Sequence, residues 1–264
     1  MPPLLIVIFA VAGWIALALS LRWGGLWFFS RGPGGDPVTG LMVLATRVYS
    51  HLMHRARYEG LKHVPQTNRP GGLIVVSNHA SPIDPVLIQS ACRFEIRWMM
   101  AGDMMIPQLV WLWRHQRMIP VARDGRDFGP AREAIRHVQA GGVLGVFPEG
   151  ALVRPRDQVR PFHPGVGFMI AKTQAPVLLL WISGTPEATR LGSALTSRSR
   201  ARVRFIDRLE FGAERDPAAI TQTLRHLLAE ATGWPLCDEP LAPTQVDVVD
   251  PFGAPRAAGP DAVS

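Results

Sequence analysis

Asn78-His79-Ala80-Ser81-Pro82-Ile83-Asp84 sets an imidazole and a carboxylate five positions apart. A histidine held by an acid beside an open crevice can take a proton from a hydroxyl, because its unperturbed pKa lies near neutrality. On one regular helix the two side chains would point about 140° apart. They meet only if His79 sits on a strand-to-helix turn and Asp84 lies in the first helical turn. The preceding Leu73-Ile74-Val75-Val76-Ser77 follows two glycines and reads as a short buried strand; Pro82 suits the opening of a helix. The same pair also fits a purely structural hydrogen bond or cap at a helix start.

Three further runs follow in order: Arg117-Met118-Ile119-Pro120-Val121-Ala122-Arg123, Phe147-Pro148-Glu149-Gly150 and Ala175-Pro176-Val177. With the His79–Asp84 run, they resemble the motifs of the glycerolipid acyltransferases, the group that includes lysophosphatidate (1-acylglycerol-3-phosphate) acyltransferase. The resemblance covers roughly residues 58 to 210. It implies acyl transfer from acyl-CoA or an acyl-carrier protein to the hydroxyl of a lysophospholipid, with no cofactor and no metal ion. It further implies that His79 activates the acceptor alcohol directly, without an acyl-enzyme, while Asp84 fixes its tautomer. Arg123 would contact the acceptor's phosphate, and Glu149 with Gly150 would belong to the acceptor-binding region.

The residues support part of this directly. No Gly-x-Ser-x-Gly nucleophile elbow is present, and Ser81 reads as a turn or capping hydroxyl. A carboxylate does not attract phosphate, so Glu149 reads as orienting an arginine or an acceptor hydroxyl, or as a cap or ion-pair carboxylate. Arg123 offers a planar fork suited to phosphate, or an ordinary solvated arginine. The family's usual Thr-Arg-Ser after Glu-Gly is here Ala151-Leu152-Val153, which leaves Leu152 in the arginine's place. Arg154, Arg156 or Arg160 in the following loop would have to reach back, and Arg154 is the expected substitute. These departures leave open another lipid acceptor, such as a lyso-aminolipid or a glycolipid. They also leave open a catalytically silent lipid-binding member, against which His79, Asp84 and Glu149 weigh.

Elements able to position these groups alternate along the chain. Strands are expected at 73–78, 95–100, 117–122, 143–147, 176–182 and 201–206, and helices at 38–54, 83–92, 104–113, 127–140, 165–173 and 217–232. Short buried strands with helices between them predict an α/β domain, a mostly central sheet flanked by helices. Ligands of such sheets gather beyond the carboxyl ends of the strands, which puts His79, Arg123 and Glu149 on one rim. The acyltransferase domain is expected to span 38–234, with a loose proline-rich tail over 235–264. Residues 99–113, rich in Met and Trp, read as core or as an acyl channel or lipid-facing patch.

Residues 1–31 read as a membrane anchor and interfacial segment. Leu4 to Leu21 carries no charge, and eighteen helical residues cover about 27 Å, enough to cross the hydrocarbon core. Trp23, Trp27, Phe28 and Phe29 fit an aromatic belt, and Arg22 and Arg31 flank only the far side. A buried core helix or an interfacial helix is the alternative. The charge bias predicts a cell-membrane protein with its domain on the cytoplasmic side. The chain has 28 Lys and Arg against 21 Asp and Glu, a net +7 that suits an anionic surface. No nucleic-acid module accompanies the charge, so membrane phospholipid is the expected partner, with a lysolipid as acceptor and no nucleic acid. Cys92 and Cys237 form neither a disulfide framework nor metal-ligand spacing.

Overall fold

The computed structural model describes residues 13–14, 19–20, 22–27, 29–30, 32–122, 127–212 and 214–239. Its centre is a seven-stranded sheet of β1 (Arg57–Glu59), β2 (Leu73–Ser77), β3 (Arg97–Ala101), β4 (Ile119–Val121), β5 (Val143–Val146), β6 (Val177–Ser183) and β7 (Arg202–Leu209). The spatial order is β1-β7-β6-β2-β5-β3-β4. The five strands β2 to β6 run parallel, whereas β7 is antiparallel to β6 and carries β1 at the edge.

Among the described residues, seven α-helices connect or flank these strands, the short 3₁₀ turns set aside. They are α1 (Pro37–His54), α2 (Asp84–Ala91), α3 (Val110–His115), α4 (Gly129–Gln139), α5 (Gly165–Thr173), α6 (Leu191–Thr196) and α7 (Pro217–Thr232). The central strand β2 is buried along its whole length, which is why its sequence is continuously apolar rather than alternating. Ile74 and Val76 pack with Leu144, Leu179 and residues of α4, α5 and α7, among them Val138, Ile170 and Leu224. Leu73 and Val75 face the other way, onto Leu87 and Ile88 of α2, Trp98 and Phe205. Each fully buried aliphatic side chain contributes roughly 1.5–3 kcal/mol. His79 therefore follows a strand that is buried along its whole length.

Several expectations shift in detail. The helix expected over 104–113 is replaced by 3₁₀ turns Gly102–Met104 and Pro107–Leu109 followed by α3, because Pro107 cannot continue a helix from residue 103. Within that stretch Met105 and Trp113 are buried, whereas Trp111 is 63% exposed, so the patch divides between core and surface. The short, polar edge strand β1 and the helix α6 have no counterpart in the expectations. The tail is not loose at its start: Val159 N–H donates to Pro235 O, Cys237 N–H donates to Val159 O, and Arg225 binds Cys237 O and Asp238. Residues from 240 onward lie outside the described residues.

Asp36 caps α1 by accepting from Thr39 N–H at 2.9 Å, and Pro37 occupies its first turn. This helix turns its polar side inward. Thr39 meets His115 of α3 at 3.1 Å, and His54 bridges Ser199 and Tyr49 at 2.8 and 3.0 Å. Val38, Leu41, Leu44, Val48 and Leu52 are left exposed along the outer side. Most of the stretch expected to anchor the chain lies outside the described residues. Among the described residues, no helix is long and apolar enough to cross a membrane.

Candidate active site

Asn78 ends β2 by turning its buried carboxamide onto β6. The side chain donates to Ile182 O at 3.0 Å and accepts from Ile182 N–H at 2.8 Å, imitating one more rung of the parallel ladder. This frees the main chain to turn immediately afterwards, and His79 sits on that turn. Helix α2 begins at Asp84, with Pro85 rather than Pro82 in its first turn. The strand-to-helix placement needed to join His79 and Asp84 is thus the one observed.

His79 Nδ1 lies 3.0 Å from Asp84 Oδ2. Ala80 N–H and Ser81 N–H donate to the same oxygen at 2.7 and 2.8 Å. Asp84 is fully buried, and these three donors replace the water its carboxylate has lost. A carboxylate accepts, so the proton of the neutral ring belongs on Nδ1 and the lone pair on Nε2. Nε2 has no hydrogen-bond partner among the described residues, and the side chain is 18% exposed. The ring is therefore oriented, anchored and open on the nitrogen that would accept a proton. Ser81 is buried in the turn, and its main chain rather than its hydroxyl holds Asp84.

Glu149 lies beyond the end of β5 and is 2% exposed. Its Oε2 accepts from His79 N–H at 3.0 Å, and its Oε1 accepts from Arg160 N–H at 3.4 Å. Burial pushes its carboxyl up to about 8 against the opposing pull of these two bonds. Glu149 thereby ties the His79 turn to the 160 loop. Gly150 follows with φ of +73°, and a Cβ there would come within 2.5 Å of the His163 ring. Its place is thus set by backbone conformation and close packing.

The loop arginines are spent mostly on main-chain oxygens. Arg154 donates to Ala80 O at 3.0 Å and Val153 O at 2.7 Å, while Arg156 donates to Ala80 O, Thr185 O and Pro186 O at 3.1, 2.7 and 2.6 Å. Arg160 donates to Arg154 O and Glu239 O. Burial, then the neighbouring Arg156 charge, lowers the Arg154 pKa. Both Arg154 and Arg156 converge on the carbonyl next to His79, so their charge borders the site while their hydrogen bonds clamp it. Arg123 lies outside the described residues.

Three members of the site were not singled out from sequence: Asn78, Phe147 and Trp98. Phe147 stacks on the His79 ring with centroids 4.0 Å apart, and Trp98 stacks on Phe147 at 4.8 Å. Asn78 could have been found as the carboxamide at the end of an apolar strand, and Phe147 as the first residue of its motif. Trp98 carries no local signal. Cys92 is buried and its thiol is pushed up to about 12, which suits an inert side chain.

An acyltransferase family model matches residues 55–183, a span that contains His79, Asp84 and Glu149. Residues 55–183 thus form an acyltransferase-family domain. It is 27% identical over 143 residues to a chloroplastic 1-acyl-sn-glycerol-3-phosphate acyltransferase of Brassica napus, covering 53% of this chain and 40% of that protein. It is 26% identical over 132 residues to an N-acylphosphatidylethanolamine synthase of Arabidopsis thaliana, covering 46% of each. The matches thus span less than half the length of these family relatives. The crystal structure of the 1-acyl-sn-glycerophosphate acyltransferase of Thermotoga maritima has the same fold, with a TM-score of 0.59 and 20% identity over 88% of this chain and 97% of that one.

Proposed function

We propose that the chain transfers a fatty acyl group from acyl-CoA or an acyl-carrier protein to the hydroxyl of a lysophospholipid such as 1-acylglycerol-3-phosphate. The observation carrying this reading is the His79 ring, pinned at Nδ1 by buried Asp84 and open at Nε2. Nε2 takes the hydroxyl proton as the oxygen attacks the thioester carbonyl. The C–S bond then breaks, and the imidazolium returns its proton to the departing thiolate. Asp84 stabilises the transient cation. Glu149 holds the His79 backbone, and Arg123 and Arg154 supply positive charge toward an acceptor phosphate.

A second acceptor class, a phosphate-free or amine-bearing lipid, is favoured by Leu152 in the arginine's place and by the carbonyl bonds that occupy Arg154. Purified protein with labelled acyl-CoA and a panel of lysolipids separates the two. On the first reading lysophosphatidate is the best acceptor. Arg123→Ala then lowers its kcat/KM about ten- to a hundredfold, the scale of a desolvated charge-assisted contact of roughly 1.5–3 kcal/mol. Arg154→Ala lowers kcat as well, since it also releases Ala80. A better phosphate-free acceptor, with Arg123→Ala and Leu152→Arg both without effect on lysophosphatidate, sinks the first reading.

We also place the enzyme at the cell membrane, with the domain on the cytoplasmic side. The exposed apolar row of α1 supports this, because such a face lies well in a lipid interface. Replacing Leu41, Leu44, Val48 and Leu52 together by glutamine should lower binding to phospholipid vesicles at least about tenfold, in line with the apolar area removed. The melting temperature should stay close to that of the parent. Unchanged vesicle binding removes α1 from the interface, and a reporter fused at residue 264 that reads periplasm overturns the orientation.

A further inference from the structure

The neighbouring strands β2, β5 and β3 each offer a ring to one column, staggered along the strands: Trp98 pairs with Gly145, Phe147 lies two residues further along β5, and His79 lies four residues beyond Val75, the β2 partner of Gly145. His79 lies beyond the end of β2, Phe147 directly follows β5, and Trp98 lies within β3. The His79 and Phe147 planes differ by 12°, and the Phe147 and Trp98 planes by 11°. The ring centroids are 4.0 and 4.8 Å apart, so the planes are in contact. Strand adjacency brings the three residues together, and the side chains lean along the strands to stack.

The column has a fixed base. Trp98 is 3% exposed, and its strand partner is Gly145, where a Cβ would fall 2.4 Å from the indole. Only glycine at 145 leaves the indole room to lie across β5 and meet Phe147. The imidazole is thus held by two independent restraints. Asp84 fixes the direction of Nδ1 within the ring plane, and Phe147 fixes the plane itself. An aromatic face also offers a transient imidazolium a cation–π contact.

We propose that Phe147, backed by Trp98 over Gly145, is a positioning residue for His79: it sets the imidazole plane and stabilises the imidazolium formed in acyl transfer. This rests on the reading of His79 as the base. Other titratable or charged groups facing the ring or its turn are Asp84 from α2, Glu149 after β5, and Arg154 and Arg156 from the loop at 153–158.

The test compares Phe147→Leu, Phe147→Met and Phe147→Tyr in the full chain, with labelled acyl-CoA and the best lysolipid of the panel. Leucine and methionine keep apolar bulk but remove the aromatic face, so kcat should fall about tenfold while both KM values stay within about twofold. Tyrosine should restore most of kcat, and Gly145→Ala, which displaces Trp98, should reproduce the loss. In a His79→Ala background, Phe147→Leu should have no further effect, because it acts through the ring. Methionine serves the comparison if the leucine variant does not fold. Wild-type kcat in a folded leucine or methionine variant, or a full additional loss in the His79→Ala background, overturns the proposal. A His79→Ala protein as active as the parent instead overturns the reading on which it rests.

Discussion

Replacing His79 by alanine is expected to lower kcat by at least about a hundredfold, the scale of a general base, in a protein that remains folded. The ring is 18% exposed, lies beyond the end of β2 and stacks on Phe147, outside both apolar clusters of the core. Asp84→Asn should be nearly as damaging to rate. The amide no longer offers an anionic acceptor to Nδ1–H, so the ring loses both its preferred tautomer and its counter-charge. It also weakens two main-chain bonds that shape the turn at Ala80 and Ser81. Single-turnover rates with labelled acyl-CoA, alongside thermal unfolding, separate the two contributions. Near-parental turnover in folded His79→Ala removes the direct-base mechanism, and an unaltered rate in Asp84→Asn leaves that carboxylate only a structural part.

Glu149→Ala should have the next largest effect, through support rather than contact with substrate. It leaves the His79 N–H unpaired in a buried place, a loss of about 1–3 kcal/mol in stability. It also frees the turn that carries the imidazole, and small displacements of a catalytic group lower rates by on the order of ten- to a hundredfold. Glu149→Gln should be mild at neutral pH, since the amide oxygen can still accept from His79 N–H and the native carboxyl is itself largely protonated there. The pH dependence of stability distinguishes the two residues. Glu149 titrates near 8 in the native state and near 4.5 when unfolded. Between those values the native state keeps a proton that the unfolded chain releases, so native stability is highest below about 4.5, falls as pH rises, and levels off above about 8. The loss is on the order of a few kcal/mol. Glu149→Gln lacks this term, so its melting temperature should gain on the parent between pH 5 and 8.5. Parallel melting curves across that range would show that the carboxyl is not held protonated.

What sequence and structure each contributed differs by the range of the interactions. The His79–Asp84 pair was legible because both residues belong to one turn, and only one local geometry joins them. The buried strand before it was legible for the same reason: an unbroken apolar run bounded by glycines needs no distant partner to be recognised. Helices α5 and α7 stand at their expected limits, with Asp216 capping α7 through its side chain and Gly233 ending it in a left-handed conformation.

The apolar row of α1 was also visible, but periodicity does not tell which side of a helix meets the domain. That was decided by polar partners far along the chain, Ser199 for His54 and His115 for Thr39. Arginine chemistry suggested phosphate for Arg154. Folding also brings the carbonyls of Ala80 and Ala188 within reach of its half-buried guanidinium, contacts that no local spacing announces. Glu149 meets His79 across 70 residues, and the aromatic column exists only because β2, β5 and β3 lie side by side in an order unlike that of the chain. Sequence alone determined the acid–base pair, the alternating α/β plan and the family resemblance, since each is written in short runs. Tertiary structure decided which groups support the histidine, because strand order and loop packing set distances that no local spacing encodes.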